Sequence, residues 1–256
     1  MEDVEEVGRL FYELSSESRL GILRKLQVKN LKMKEIAQSL DLTETEAFRQ
    51  LQRLSEARLV HKQLDGTYRL TAYANLVLNT ASPLDFISKF KEYFLDHDAL
   101  SLPYEFRARL QELSSGKLNP VIMETFNKVA ILLKNANERI DATIEVGSDL
   151  HLQIMRQRLE EGLRVRWLIQ ESFIEKSRSM FLAADKLPEI RVTPRIFIHI
   201  YLTEKEAALC FRNIDGKFDY VTFFSQDSTF LKWVSDLWAH GWEKARARPI
   251  RVIMKP

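Results

Sequence analysis

Between residues 16 and 71 the apolar positions change period in a fixed order. They recur at helical spacing through Ser16-Glu-Ser-Arg-Leu-Gly-Ile-Leu-Arg-Lys-Leu26 and again through Met33-Lys-Glu-Ile-Ala-Gln-Ser-Leu40. After the break Asp41-Leu42-Thr43, a third helical stretch runs from Glu44 to Arg58. Val60 to Leu64 alternates, Asp65-Gly66 turns the chain, and Thr67 to Leu70 alternates again. Two such segments joined by Asp-Gly predict a hairpin with positive φ at both central positions. Helix, helix, turn, helix and hairpin in this order predict a winged helix-turn-helix that reads DNA.

Phasing the third helix at 100° per residue puts Ala47, Leu51 and Leu54 on one stripe, which must face a core. Thr45, Arg49, Gln52, Arg53 and Glu56 fall on the opposite stripe. Long donors there reach base edges, and an arginine can clamp guanine bidentately. Thr43, Thr45, Phe48, Arg49, Gln52 and Arg53 are therefore candidate DNA contacts, with Phe48 either at the core edge or against a thymine methyl. Glu44 and Glu46 either repel phosphate or cap the helix start. Lys62 and Arg69, flanking the Asp65-Gly66 turn, are candidates for the DNA backbone or minor groove.

Beyond the hairpin, Thr71 can cap a helix to about Thr80. A helical connector is expected over 81–138, with apolar stripes at Leu84, Ile87, Phe90 and Phe94 and at Phe126, Val129, Ile131, Leu132 and Leu133. From 139 the period changes. Ile140 to Val146 alternates, Asp149 to Glu161 is helical, Gly162 stops it, and Leu163 to Ile169 alternates again. Strand, helix, strand predicts a parallel pair. More strands are expected at 190–192, 195–202, 207–212 and 218–224, before a helix from Ser228 to Ala247 rich in tryptophan. The fold expected is an α+β winged helix-turn-helix over 1–80 and a mixed α/β effector or dimerisation domain over 139–256.

Charge sharpens this picture. The net charge of +2 hides a gradient, because residues 18–80 carry eleven basic and six acidic side chains while residues 2–17 carry six acids and only Arg9. Local charge sets attraction to phosphate, so duplex DNA is the expected partner. The single cysteine, Cys210, allows no internal disulfide, the acidic start is no secretory signal, and no apolar run has membrane length. A cytoplasmic setting is expected. The basic tail from Lys244 to Lys255 reads as solvated or as touching phosphate.

The module resembles ArsR-like winged helices of bacterial and archaeal regulators in Glu17-Ser-Arg-Leu-Gly-Ile-Leu23, Lys34-Glu-Ile-Ala37, Arg49-Gln-Leu-Gln-Arg-Leu54 and Asp65-Gly-Thr-Tyr-Arg-Leu-Thr71. Arg58 stands where that family usually has glycine. Pro103-Tyr-Glu-Phe106, Glu160-Glu-Gly-Leu-Arg-Val-Arg-Trp-Leu168, Asp215-Gly-Lys-Phe-Asp219 and Trp233 to Trp242 extend the likeness. Together they resemble archaeal regulators whose C-terminal domain was first noted in regulators of methanogenesis. That resemblance implies a phospholipase-D-like fold for the second domain.

A phospholipase-D-type enzyme needs histidine and lysine in a His-x-Lys-x4-Asp pattern, whereas His199 is followed by Ile200-Tyr201. No phosphate loop, nucleophile elbow or metal-ligand spacing stands in the chain, so no catalytic residue, cofactor or metal is expected, and no enzyme. The stretch 195–202 puts Arg195, Phe197, His199 and Tyr201 on one face, with Arg166 and Trp167 on a neighbouring strand. These aromatic and polar side chains either line a pocket for a small-molecule effector or pack under a helix. A homodimer is expected, through the helix bearing Val4, Val7, Leu10, Phe11 and Leu14 or through Ala72 to Thr80. The first helix packs over its own module in the competing reading. The leading reading is a DNA-binding transcriptional regulator; the alternatives are a constitutive architectural DNA binder and a phosphodiesterase-like enzyme.

Overall fold

A computed structural model describes residues 2–145, 148–176 and 188–245. The chain divides into two compact units, Met1–Ser82 and Pro83–Pro256. In the first, α1 (Glu2–Leu14), α2 (Glu17–Val28), α3 (Met33–Ser39), α4 (Glu44–Glu56) and α5 (Ala72–Ala81) surround a small sheet. Its strands β1 (Leu31–Lys32), β2 (Val60–Lys62) and β3 (Thr67–Leu70) lie in the order β1-β3-β2, all antiparallel. Helix starts follow side-chain chemistry. Ser16, Thr43 and Thr71 each accept a backbone N–H at the first turn of α2, α4 and α5. Ile22, Leu23, Ile36, Leu51, Leu54 and Leu70 close one core beneath α4.

The hairpin turn departs from its expected form. Gly66 holds φ 82, but Asp65 is not at positive φ. Its carboxylate instead accepts from the Thr67 N–H at 2.9 Å, and Gln63 N donates to Thr67 O, so the loop is longer than a two-residue turn.

In the second unit, β4 (Lys117–Asn119), β5 (Arg139–Ile144), β6 (Arg164–Gln170), β7 (Glu189–Thr193), β8 (Ile198–Thr203), β9 (Ala207–Phe211) and β10 (Thr222–Ser225) form one sheet. Their order is β4-β10-β9-β8-β5-β6-β7. β5–β6 and β6–β7 are parallel and the other pairs antiparallel. Alternation along the strands divides the apolar side chains between two faces. One face packs α9 (Ile122–Lys134), α10 (Asp149–Glu160) and α11 (Glu171–Lys176) against Ile140, Trp167 and Tyr201. The other packs α6 (Pro83–Lys89), α7 (Lys91–Asp96), α8 (Tyr104–Arg107) and α12 (Ser228–Lys244) against Ile198, Ile200 and Phe223. α12 buries Trp233, Trp238 and Trp242 there.

Two expectations change. The segment 81–138 is not a connector. Phe86 and Tyr93 sit in the second unit's aromatic core against Phe223, and β4 extends its sheet. The strand expected from 195 begins only at Ile198, because Ile196 N donates to the Gln170 side chain and its carbonyl accepts from Arg212. Val146 and the basic tail beyond Ala245 lie outside the described residues.

Candidate functional site

The DNA-facing candidates converge on the start and outer face of α4. Thr43 Oγ1 accepts from Glu46 N at 3.2 Å, while the Glu46 carboxylate accepts from Thr43 N at 3.0 Å and from its hydroxyl at 2.8 Å. This reciprocal cap lowers the Glu46 pKa, chiefly through the Thr43 N–H. Thr43 is thus engaged in the helix start, and Glu46 is a cap. Thr45, Phe48, Arg49 and Gln52 remain on the exposed face, with Phe48 55% exposed and so not at a core edge. Gln52 Nε2 donates to Glu56 at 3.2 Å, a contact within the helix surface.

Arg53 is different. Its guanidinium donates to both Glu13 oxygens, at 2.9 and 3.0 Å, and lies 4.7 Å over the Tyr12 ring. Those hydrogen bonds, Glu13 first, hold its pKa up. Glu13 also pairs with the buried Arg19 at 2.9 Å. Arg53 therefore ties α4 to α1, a partner that phasing α4 alone cannot show. Arg9, Glu13, Arg49 and Gln52 then line an open groove of about 930 Å³ between the two helices.

In the β2–β3 hairpin, His61 faces Arg69 across the ladder and Lys62 faces Tyr68. Lys62 is exposed with its ammonium 6.0 Å from the Tyr68 ring, and Arg69 Nε donates to His61 Nε2. Leu64, which the pattern placed at a strand end, is fully exposed at the loop.

The ligand candidates of the second unit scatter. Trp167 is fully buried in the core beneath α9 and α10. Arg166 lies on the opposite face, donating to the buried Asp141 at 2.6 and 2.9 Å and stacking 4.3 Å over Trp238. Phe197 precedes β8, and lines a separate cavity of about 200 Å³ with Ile196, Ile198 and Trp238. Only His199 and Tyr201 share one site. They line a cavity of about 100 Å³ with His151, Phe126 and Tyr220, of which the last three were not among the candidates. His151 had a signal: it stands four residues before Met155 on the buried stripe of α10. Tyr220, in an irregular loop, had none.

Inside this cavity His151 Nε2 donates to Phe126 O at 2.9 Å, which leaves Nδ1 to accept from the Tyr201 hydroxyl at 3.3 Å. Burial, helped by His151 and Arg212, lowers the His199 pKa to about 3, and burial raises that of Tyr201. Cys210, also in the lining, is pushed up to about 12 by burial and Asp219. Among the described residues no group of three or more His, Cys, Asp or Glu could hold a metal, and no helix is long and apolar enough to cross a membrane.

No protein-family model matches the chain, and no curated protein matches it in sequence. Among solved structures the chain is similar to TrmBL2, an archaeal chromatin protein described with a novel mode of DNA binding. The identity is 15%, over 93% of this chain and 95% of that one, with a TM-score of 0.41. It is also similar to NucT from Helicobacter pylori, at 13% identity over 52% of this chain and 98% of that one, with a TM-score of 0.43. An O-methyltransferase family protein from Burkholderia thailandensis matches at 16% identity over 76% and 62% of the two chains, with a TM-score of 0.25. The expectation that the chain is not an enzyme is corrected beside these neighbours, since several of the matched structures are methyltransferases. No reaction follows for this chain from likenesses of that strength.

Proposed function

We propose that the chain is a DNA-binding transcriptional regulator whose first unit is a winged helix-turn-helix of ArsR-like type. The observation that carries this reading is the exposed face of α4. It presents Thr45, Phe48, Arg49 and Gln52 one turn after α3, beside a hairpin bearing exposed Lys62 and Arg69. α4 is the reading helix in the major groove, and the hairpin holds the backbone. The second unit, whose sheet carries helices on both faces, is the effector domain; its phospholipase-D-like character rests on the sequence resemblance. The regulator works as a two-fold dimer, because one short helix reads too few base pairs to select a site.

The test is capture of genomic fragments by the full-length protein, followed by binding to the recovered site and to a scrambled duplex across a salt series. A regulator keeps at least about a thousandfold preference for its own site at physiological salt. An architectural protein binds both duplexes alike, and that result would replace the regulatory reading.

A further inference from the structure

We infer that the cavity between α9, α10 and strands β8 to β10 is a binding site for a small, uncharged, planar ring carrying a hydrogen-bond donor and acceptor, of azole type. The inference concerns the second unit alone and does not depend on the DNA reading.

The starting point is His199. It is 5% exposed, and its Nε2 has no hydrogen-bond partner although the nitrogen is buried. A buried polar atom without a partner is rare, and it is retained where something else supplies the bond. Around it the neighbouring polar groups are already committed. His151 spends both ring nitrogens on Phe126 O and the Tyr201 hydroxyl, so the Tyr201 proton is used and its oxygen is left free to accept. The buried part of the cavity therefore offers one histidine nitrogen and one phenolic oxygen, and the less buried hydroxyls of Ser148 and Tyr220 also stand in its lining.

The walls set the shape. Phe126 stacks on His151, while Tyr201 and Tyr220 are set about His199 with ring centroids at 5.0 and 6.0 Å. Tyr220 is held at φ 64, a left-handed conformation that a tyrosine resists. Such strain persists only where surrounding contacts enforce it, and it gathers at sites that bind. Flat aromatic walls favour a flat guest. Size narrows it further: a cavity of roughly 150 Å³ admits benzene, so about 100 Å³ suits a five-membered ring.

Charge excludes ions. The lining holds no Lys, Arg, Asp or Glu. The guanidinium of Arg212, whose charge acts on His199, is taken by Glu145 and by the Ile196 and Gly216 carbonyls. A phosphate, carboxylate or ammonium would lose its water without meeting a counter-charge.

Pyrazole, neutral near pH 7, is the probe, with inorganic phosphate as the charged comparison. Binding is read on the full chain without DNA by long-range proton–nitrogen correlation of the histidine rings. Millimolar pyrazole should move the His199 Nε2 resonance in a saturable way, and phosphate should leave it in place. Tyr201→Phe keeps the ring and removes the accepting oxygen, so it should weaken pyrazole by about tenfold, as expected for one lost hydrogen bond. His199→Phe should abolish binding. A His199 resonance that pyrazole leaves unmoved overturns the proposal, and so does movement by phosphate. So does affinity equal to wild type in both variants. If His199→Phe fails to fold, the wild-type resonance and Tyr201→Phe decide the matter.

Discussion

The side chain of Arg58 sits in a backbone conformation chosen for it by the fold. It holds φ 57 at the bend between α4 and β2, and its carbonyl accepts from the Thr71 hydroxyl at 2.7 Å. A side chain with a Cβ resists that region and glycine does not. Arg58→Gly should therefore stabilise the first unit by about 0.5–1 kcal/mol, less than the full strain because glycine also gains freedom in the unfolded chain. Urea denaturation of the pair measures this, and a destabilised glycine variant would mean that the Arg58 side chain outweighs its backbone. In the proposed DNA complex the residues should divide by what they would touch. Arg49 is exposed on the outer face of α4, so on the proposed reading Arg49→Ala should cost about 1–3 kcal/mol on the cognate site and relax sequence preference. Lys62→Ala should weaken all sequences alike and lower the salt slope by about one. Equal losses on cognate and scrambled DNA for Arg49→Ala would take α4 out of the groove.

At the scale of elements, the helices of the first unit were legible because their signals are local. The stripe Ala47, Leu51, Leu54 lies within one helix and is buried as its phase implies, while Thr43, read from the sequence as a DNA contact, closes a reciprocal cap with Glu46. What the pattern could not show depends on distant partners. Arg53 belongs by phase to the exposed stripe, yet α1 supplies Glu13 and Tyr12 to hold it. β4 is three residues long and acquires strand geometry only by pairing with β10, more than a hundred positions along the chain. In the second unit, alternation correctly put His199 and Tyr201 on one face. It failed for Phe197, because Pro194 lacks an N–H and Ile196 bonds to side chains before the ladder begins. The α1–α4 tie gives its own prediction. Glu13→Gln should lower the melting temperature of the first unit, because Arg19 and Arg53 both lose their charged acceptor. Adding Arg53→Ala should then cost less than it does alone, since both changes break one contact. Strictly additive losses in the double-mutant cycle would show that the contact contributes nothing to holding α1.

For the whole molecule, two units with separate cores imply that stability and assembly have separate controls. Acid acts on the second. Folded His199 has its pKa lowered to about 3 against 6.5 in the unfolded chain, so between those values the unfolded state binds the extra proton. Stability from keeping His199 neutral is complete above 6.5 and falls as pH drops toward 3, by up to ~1.4 kcal/mol per pH unit. The second unit should thus lose stability steeply across that window, and His199→Phe should flatten the slope; an unchanged slope would place the proton uptake elsewhere. The proposed dimer would draw on the first unit. Val4, Val7 and Phe11 stand 77%, 52% and 57% exposed on one helix, and Tyr73 and Leu76 of α5 are exposed as well. Leu10 and Leu14 pack inward against the first core, so α1 both covers its own module and keeps an apolar edge outward. Apolar side chains grouped in this way are costly to leave in water and mark a surface that a second copy can cover. Two modules paired about a two-fold axis would then meet half-sites one helical turn apart, which requires the recovered DNA site to be a pseudo-palindrome. Sedimentation equilibrium at micromolar concentration should give twice the chain mass of 30.0 kDa, with Val7→Asp and Phe11→Asp shifting it toward the monomer and weakening DNA binding together. A monomeric wild type, with or without DNA, would remove the dimer and leave α1 as a cover for its own module alone.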